Sequence, residues 1–181
     1  MSSRKQAILP LKLVLTCEHG GNIIPEKYGA YFKNQPEILN THRGFDLGAL
    51  DLFEYLKPLS YFSLSSATSR LLIELNRSLH HKNLFSEFSL KLSKEEKKHL
   101  IQSYYLKYRD TVENKIRELI QGEETVLHIS IHSFTPVLND HIRNCDIGLL
   151  FDPKRNFEKQ FSKNFKENIL KINPEYHVRF N

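Results

Sequence analysis

Histidine and acidic residues stand in this sequence where apolar segments meet loops. Glu18 and His19 directly follow the apolar run Leu11–Cys17. His132 ends a second apolar run, and Asp46 precedes a helical pattern. Two imidazoles and one carboxylate form a ligand set that holds catalytic zinc and leaves a fourth position open for water. The residue types therefore predict a zinc site of His19, Asp46 and His132, suited to the hydrolysis of an amide.

Each of the three predicted ligands also has an ordinary structural interpretation. His19 could be a loop histidine that bonds the backbone, and His132 could be a hydrogen-bonded core histidine. Asp46 has the position of a helix N-cap. The metal site is therefore predicted from the three residues together, on the expectation that successive strand ends converge on one crevice.

Arginine side chains provide candidate substrate ligands. A guanidinium binds a carboxylate through paired charge-assisted hydrogen bonds, and Arg70, Arg77 and Arg143 are candidates for this role. Any of them could instead form a structural ion pair. Cys17, at the end of an apolar run, is predicted to be a small buried residue and not a nucleophile.

Composition excludes several classes of protein. The length of 181 residues fits one domain, and 40% hydrophobic with 26% charged residues indicates a globular chain. The net charge of +5 comes from lysines spread along helical segments, so neither nucleic acid nor a membrane is predicted as a partner. Two cysteines outside any CxxC pair, and an apolar run at 8–16 too short for a signal peptide, favour the cytoplasm.

Periodic patterns predict strands alternating with helices. Strands are expected at 11–17, 61–67, 70–75, 125–134, 146–151 and 176–180. Helices are expected at 46–56, 93–122 and 156–172, with a capping box at Ser93 and a C-terminal stop at Gly122. This alternation favours an α/β fold in which helices cover both faces of the sheet.

Five motifs, in their order and spacing, resemble the N-formylglutamate amidohydrolase family. They are CEHGGNIIP, THRGFDLGALDL, SRLLIELNRS, HISIHSFTP and RNCDIGLLFDP. The resemblance runs from residue 13 to 181. It implies a three-layer α/β/α sandwich with a mixed, mainly parallel sheet, related to the zinc carboxypeptidases and aspartoacylases. It also implies metal-dependent hydrolysis of a small N-acylated amino acid, such as N-formylglutamate. The expected organisation is a single domain over 1–181 that lacks the family's C-terminal portion.

The resemblance also implies roles for individual residues. His19 and His132 correspond to the two histidine ligands of zinc. Asp46 is the expected carboxylate ligand, with Glu18 as a competitor, because Asn22 stands where the related HxxE motif has its glutamate.

The same resemblance extends to substrate binding and to the general base. Asn76 and Arg77 resemble the pair that binds a substrate carboxylate, with Arg70 and Arg143 as helpers. The general-base glutamate of similar enzymes is expected beyond Asn181, with Glu18 as a weak candidate within this chain. The alternative is a catalytically silent or weakly active relative that binds the metal or ligand but lacks the base.

Overall fold

The computed structural model describes residues 11–138 and 140–181, which form two compact units that divide after Phe134. The first unit holds a three-stranded sheet, and the second holds two small two-stranded sheets. The single domain expected over 1–181 stays a prediction. The start of the apolar run 8–16 lies outside the described residues.

The sheet of the first unit is parallel throughout. Its strands are β1 (Leu11–Cys17), β2 (Phe62–Ser65) and β3 (Thr125–Ser130), in the order β2-β1-β3. Thr16 of the central strand lies beside Leu64 on one side and Ser130 on the other. From β1 the chain therefore runs first to β2 on one side and later to β3 on the other side of β1. This makes the carboxyl end of β1 a topological switch point, where α/β sheets place their sites.

Helices cover both faces of this sheet. On one face, α1 (Ala49–Leu56) buries Ala49 and Phe53 against Leu15 and Cys17 of β1. Leu64 packs against a second cluster that includes Tyr108 and Val112 of α3 (Lys107–Gln121). Leu64 is in register with Thr16, and side chains alternate along a strand, so this cluster lies on the opposite face from Leu15. The first unit therefore has three layers, which confirms the predicted α/β fold.

The helical segment expected at 93–122 is confirmed, with one unpredicted feature. Ser93 forms the predicted capping box with Glu96 at the start of α2 (Lys94–Leu100), and Gly122 follows the last residue of α3. Between the two helices, Ile101–Leu106 forms a π-helix. A π-helical turn holds more residues than an α-helical turn, so it changes which side chains face the core.

The prediction of a strand at 70–75 is wrong. This segment is irregular and deeply buried, with Leu72 and Ile73 fully inaccessible. Its backbone groups bond to loops and side chains: Ser89 Oγ donates to Leu71 O at 3.1 Å, and Glu74 N–H donates to Leu84 O at 2.9 Å. The apolar residues at 71–75 are therefore buried, but their backbone does not pair with a neighbouring strand of the described chain.

The second unit contains short strands and one long helix. Its elements are β4 (Val137–Leu138), β5 (His141–Ile142), β6 (Ile147–Leu149), α4 (Asn156–Ile172) and β7 (Val178–Phe180). Strands β4 and β5 pair antiparallel, whereas β6 and β7 pair parallel and are joined through α4. The bounds of α4 are those predicted, and β6 and β7 are shorter than expected.

Four 3-10 helices complete the described secondary structure, at Glu26–Phe32, Pro36–Asn40, Lys57–Leu59 and Ser89–Lys91. Across residues 11–138 and 140–181, no helix combines the length and the apolar character needed to cross a membrane.

Candidate functional site

His19, Asp46 and His132 lie together beyond the carboxyl ends of β1 and β3. One donor atom from each residue lies within 4.8 Å of the other two, and the centroids of the two imidazole rings are 4.9 Å apart. Asp46 Oδ2 lies 2.8 Å from His132 Nδ1 and 3.4 Å from His19 Nδ1. Two imidazole nitrogens and a carboxylate oxygen match the protein ligands of a catalytic zinc site. The three residues could therefore hold one divalent cation, and their role as ligands stays a prediction.

The backbone brings these groups together from distant parts of the chain. Ile131 N–H donates to Thr16 O at 2.8 Å, which continues the pairing of β1 with β3 to the residue before His132. Asp46 N–H donates to His19 O at 2.9 Å, which ties the loop before α1 to the end of β1. Strand pairing and one loop contact therefore position the three side chains.

The helix-cap interpretation of Asp46 is wrong. The N-cap of α1 is Gly48, with φ of 78°, and no side chain caps this helix. A left-handed φ suits glycine because it lacks a Cβ. The turn at Gly48 starts the helix two residues after Asp46, and the Asp46 carboxylate bonds the two histidines instead.

The glycine pair after His19 allows a close approach of two loops. A Cβ on Gly21 would lie 2.6 Å from Ala67 O and 2.7 Å from Ala67 Cα, which no side chain tolerates. Ile23 N–H donates to Ala67 O at 2.9 Å across the same contact. Glycine at position 21 therefore lets the loop that follows β1 pack directly on the loop that follows β2.

The second nitrogen of His19 faces a carboxylate that the sequence did not identify. His19 Nε2 donates to Glu74 Oε1, and Glu74 Oε2 accepts from Arg70 Nε at 3.0 Å and Nη2 at 2.7 Å. Arg70 Nη1 also donates to Asp46 Oδ1 at 3.1 Å. We call Arg70, Glu74 and His19 the closed side of the site, because the side chains of His19 and Glu74 are only 2% and 9% exposed. The sole sequence signal for Glu74 was its place between Arg70 and Asn76.

The second nitrogen of His132 has two neutral hydrogen-bonding partners and a carboxylate slightly farther away. Its Nε2 lies 3.0 Å from Ser130 Oγ and 3.1 Å from Asn76 Nδ2. We call Ser130, His132 and Asn76 the open side, because the side chain of His132 is 31% exposed. Glu18 accepts a hydrogen bond from Ser130 Oγ and lies 3.6 Å from His132 Nε2. Its carboxylate therefore lies on the Nε2 side of the His132 ring, away from the Nδ1 that faces Asp46.

The electrostatics of the site favour ionised carboxylates. Burial acts to raise the pKa of Asp46 and of Glu74. The hydrogen bonds from His132 and His19 to Asp46, and from His19 to Glu74, outweigh burial, so the pKa of Asp46 is held well below its usual range and that of Glu74 falls to about 2. For His19, burial acts to lower the pKa, but the bonds to Asp46 and Glu74 raise it above its ordinary value. The ionised carboxylates around His19 therefore create surroundings that suit a cation.

Cys17 is not activated for nucleophilic chemistry. Burial, followed by the nearby charges of Glu18 and Asp46, raises the pKa of the Cys17 thiol to about 12. The side chain is fully inaccessible, which confirms its prediction as a small buried residue.

The predicted substrate-binding arginines lie in three different surroundings. Arg70 belongs to the closed side. Arg77 is exposed, and among the described residues nothing pairs with its guanidinium, whereas its carbonyl accepts a 2.7 Å hydrogen bond from Tyr105 Oη. Arg143 lies in the second unit, is exposed, and donates its backbone N–H to Pro136 O at 2.7 Å. Their roles as substrate ligands, and that of Asn76, stay predictions.

Comparisons with known proteins agree with this architecture. A solved structure of a gene product from Agrobacterium tumefaciens matches 96% of this chain and 69% of its own chain, with a TM-score of 0.79 and 24% sequence identity. This similarity shows a shared fold. A comparison with curated proteins found no match. The model of the N-formylglutamate amidohydrolase family matches residues 11–181. Nearly the whole described chain is thus covered, and the protein belongs to the N-formylglutamate amidohydrolase family.

Proposed function

We propose that this protein is a zinc-dependent amidohydrolase, acting in the cytoplasm, that removes a formyl or acyl group from an N-acylated acidic amino acid such as N-formylglutamate. Family membership supports the amidohydrolase activity and a small-molecule substrate. The observation that supports the metal is the approach of His19, Asp46 and His132 donor atoms to within 4.8 Å of one another. Zinc in this position supplies Lewis-acid polarisation of the amide carbonyl and activation of water.

The protein's own residues hold the ligands and the substrate. Asp46 presents Oδ2 to both histidines, while His19 is fixed from behind by Glu74. Among the described residues nothing pairs with the guanidinium of Arg77, so it provides a fork for the substrate carboxylate. Its sequence neighbour Asn76 lies 3.1 Å from His132 Nε2. Such anchoring places the scissile amide beside the ligand cluster and reduces the entropy cost of reaching the transition state.

The proposal is tested by comparing wild-type protein with His132→Ala. We expect the variant to lose both bound zinc and the release of formate from N-formylglutamate. Elemental analysis measures the metal and also separates zinc from iron(II), which two histidines and one carboxylate can bind as well. His80→Ala changes an exposed histidine outside the site and is the matched control. A zinc-free His132→Ala protein with full activity would exclude the proposal.

Two rival functions make different predictions in the same assays. A catalytically silent relative would bind zinc through His132 and hydrolyse none of the N-formyl, N-acetyl and N-succinyl amino acids. A metal-independent serine hydrolase is the other rival, because Ser130 Oγ, His132 and Asp46 form a chain with distances of 3.0 and 2.8 Å. That enzyme would keep its activity in a chelator and lose it in Ser130→Ala.

A further inference from the structure

We propose that Arg70 is a positioning residue of the metal centre and not a ligand of the substrate. Together with Glu74, it holds His19 and Asp46 in the orientation that binds the cation. This inference rests on the proposed zinc site, and it changes the role that the sequence suggested for Arg70.

All three nitrogens of the Arg70 guanidinium donate to carboxylates. Its Nε and Nη2 donate to Glu74 Oε2 at 3.0 and 2.7 Å, and its Nη1 donates to Asp46 Oδ1 at 3.1 Å. The side chain is 27% exposed, so solvent screens these contacts only partly. A substrate carboxylate that approached Arg70 would meet a charge already offset by two carboxylates, and their repulsion opposes its binding.

Asp46 and His19 each use one atom at the proposed cation site and a second atom to contact Arg70 or Glu74. Asp46 presents Oδ2 to the two histidines of the site, and it presents Oδ1 to Arg70 and, at 3.5 Å, to His42 Nε2. His19 presents Nδ1 to Asp46 and Nε2 to Glu74. Arg70 thereby fixes the rotation of the Asp46 carboxylate directly, and it fixes the His19 ring through Glu74.

The backbone joins the same elements. Arg70 N–H donates to Gly44 O at 3.1 Å, and Ser69 Oγ donates to the same carbonyl at 2.9 Å. Gly44 lies two residues before Asp46, so the loop that carries the carboxylate is held at its backbone and at its side chain. Glu74 is held similarly, because its Oε1 also accepts the N–H of Asn76 at 2.9 Å.

Groups that orient metal ligands from behind contribute strongly to metal affinity. Removing such a partner typically weakens metal binding 10–100-fold, because the ligands then have to be ordered when the metal binds. Arg70→Lys keeps the charge but loses the planar fork that reaches two carboxylates at once. Glu74→Gln keeps the shape of the side chain but loses the charge that holds Arg70 and His19.

The experiment measures zinc affinity by competition with a chromophoric chelator, and KM for N-formylglutamate at saturating zinc. We expect Arg70→Lys and Glu74→Gln each to lower zinc affinity roughly 10–100-fold, with KM close to that of the wild type. The visible spectrum of the cobalt(II)-loaded protein should also change, since it reports ligand geometry. Arg43→Lys and Glu87→Gln alter an exposed Arg–Glu pair in the same unit and are the matched controls, with no expected effect.

Two results would overturn the inference: wild-type zinc affinity in both variants, or a KM that rises tenfold or more at saturating zinc in Arg70→Lys. The second result would identify Arg70 as a substrate ligand. If Arg70→Lys does not fold, as judged by circular dichroism, zinc affinity in Glu74→Gln decides. His132→Ala separates this inference from the proposed function. Unchanged zinc binding in His132→Ala refutes the zinc site itself. If His132→Ala loses zinc but Arg70→Lys and Glu74→Gln bind it as the wild type does, only the positioning role is refuted.

Discussion

The two histidines of the site share Asp46 but differ in the hydrogen-bonding partners of their second nitrogens. On the closed side, the His19 side chain is 2% exposed, and its second nitrogen donates to a carboxylate that is itself paired with Arg70. On the open side, the His132 side chain is 31% exposed, and its second nitrogen meets a hydroxyl and an amide. The second nitrogen of His19 is therefore hydrogen-bonded to a buried charged pair, whereas that of His132 is hydrogen-bonded to neutral groups, with the Glu18 carboxylate 3.6 Å away.

This difference suggests a division of tasks within one site. Buried charged contacts are directional and poorly screened, so the closed side is suited to fixing ligand geometry. The open side is partly exposed to solvent, and it places Asn76, which precedes Arg77 in the sequence, beside His132. We therefore expect changes on the closed side to alter metal affinity and stability, and changes near the open side to alter substrate binding.

The largest effect is expected where the two sides join. Asp46→Asn removes the charge that both imidazoles and Arg70 contact, so the protein should be purified without zinc and without activity. Elemental analysis and the formate-release assay measure this. Asp51→Asn, at an exposed position in the first turn of α1, is the control. Retention of zinc in Asp46→Asn would show that the two sides do not depend on a shared ligand.

Arg77→Ala tests the open side alone. Losing charge-assisted hydrogen bonds to a substrate carboxylate costs about 1.5–3 kcal/mol, so KM for N-formylglutamate should rise roughly 10–100-fold with zinc content unchanged. Steady-state kinetics at saturating zinc measure the change, and Arg117→Ala on α3 is the control. An equal rise in KM for a formamide that has no carboxylate would contradict the anchoring role.

The pH dependence of stability tests the closed side in the metal-free protein. The pKa of Glu74 is depressed to about 2, because the His19 bond and then the Arg70 charge outweigh burial, so its contribution is present above pH 4.5 and is lost as the pH falls towards 2. The pKa of His19 is raised, so its contribution is present below pH 6.5 and is lost as the pH rises through the folded value. Urea unfolding in a chelator should therefore show stability falling on both sides of this window.

The acid limb of that curve should depend on Glu74. A single paired carboxylate contributes on the order of 2 kcal/mol through this linkage, and Glu74→Gln should remove that share of the loss below pH 4.5, while the share of Asp46 remains. Glu87→Gln, in the exposed pair with Arg43, should leave the limb nearly unchanged. Identical acid limbs in wild type and Glu74→Gln would contradict the charged closed side.

The smallest effect is expected at Tyr105, which lies in the π-helix and supports Arg77 from the core. Tyr105→Phe removes the hydrogen bond to the Arg77 carbonyl, worth about 1 kcal/mol, so KM should rise about fivefold without loss of zinc. Tyr104→Phe, at the neighbouring position in the same π-helix, is the matched control. A wild-type KM in Tyr105→Phe would show that Arg77 does not depend on this support.

Much of the fold follows from local patterns. The capping box at Ser93 and the bounds of α4 were predictable because cap chemistry and helical periodicity act within a few residues. The segment 70–75 was not, because an apolar run shows that a segment is buried but not what its backbone bonds to. The π-helix likewise left no signal in the spacing of apolar residues.

The residues of the candidate site were likewise predictable only in part. The sequence alone determined the family, because five ordered motifs are specific without coordinates, and it identified His19, Asp46 and His132 as residues of the right chemical type. Which atom of each residue faces which partner depends on the folded structure. That Asp46 bonds two histidines instead of capping a helix, and that Glu74 and Arg70 stand behind them, depends on strand register and loop contacts between residues far apart in the chain. Residue type and order are local properties, whereas the partner of each nitrogen and oxygen is set by packing.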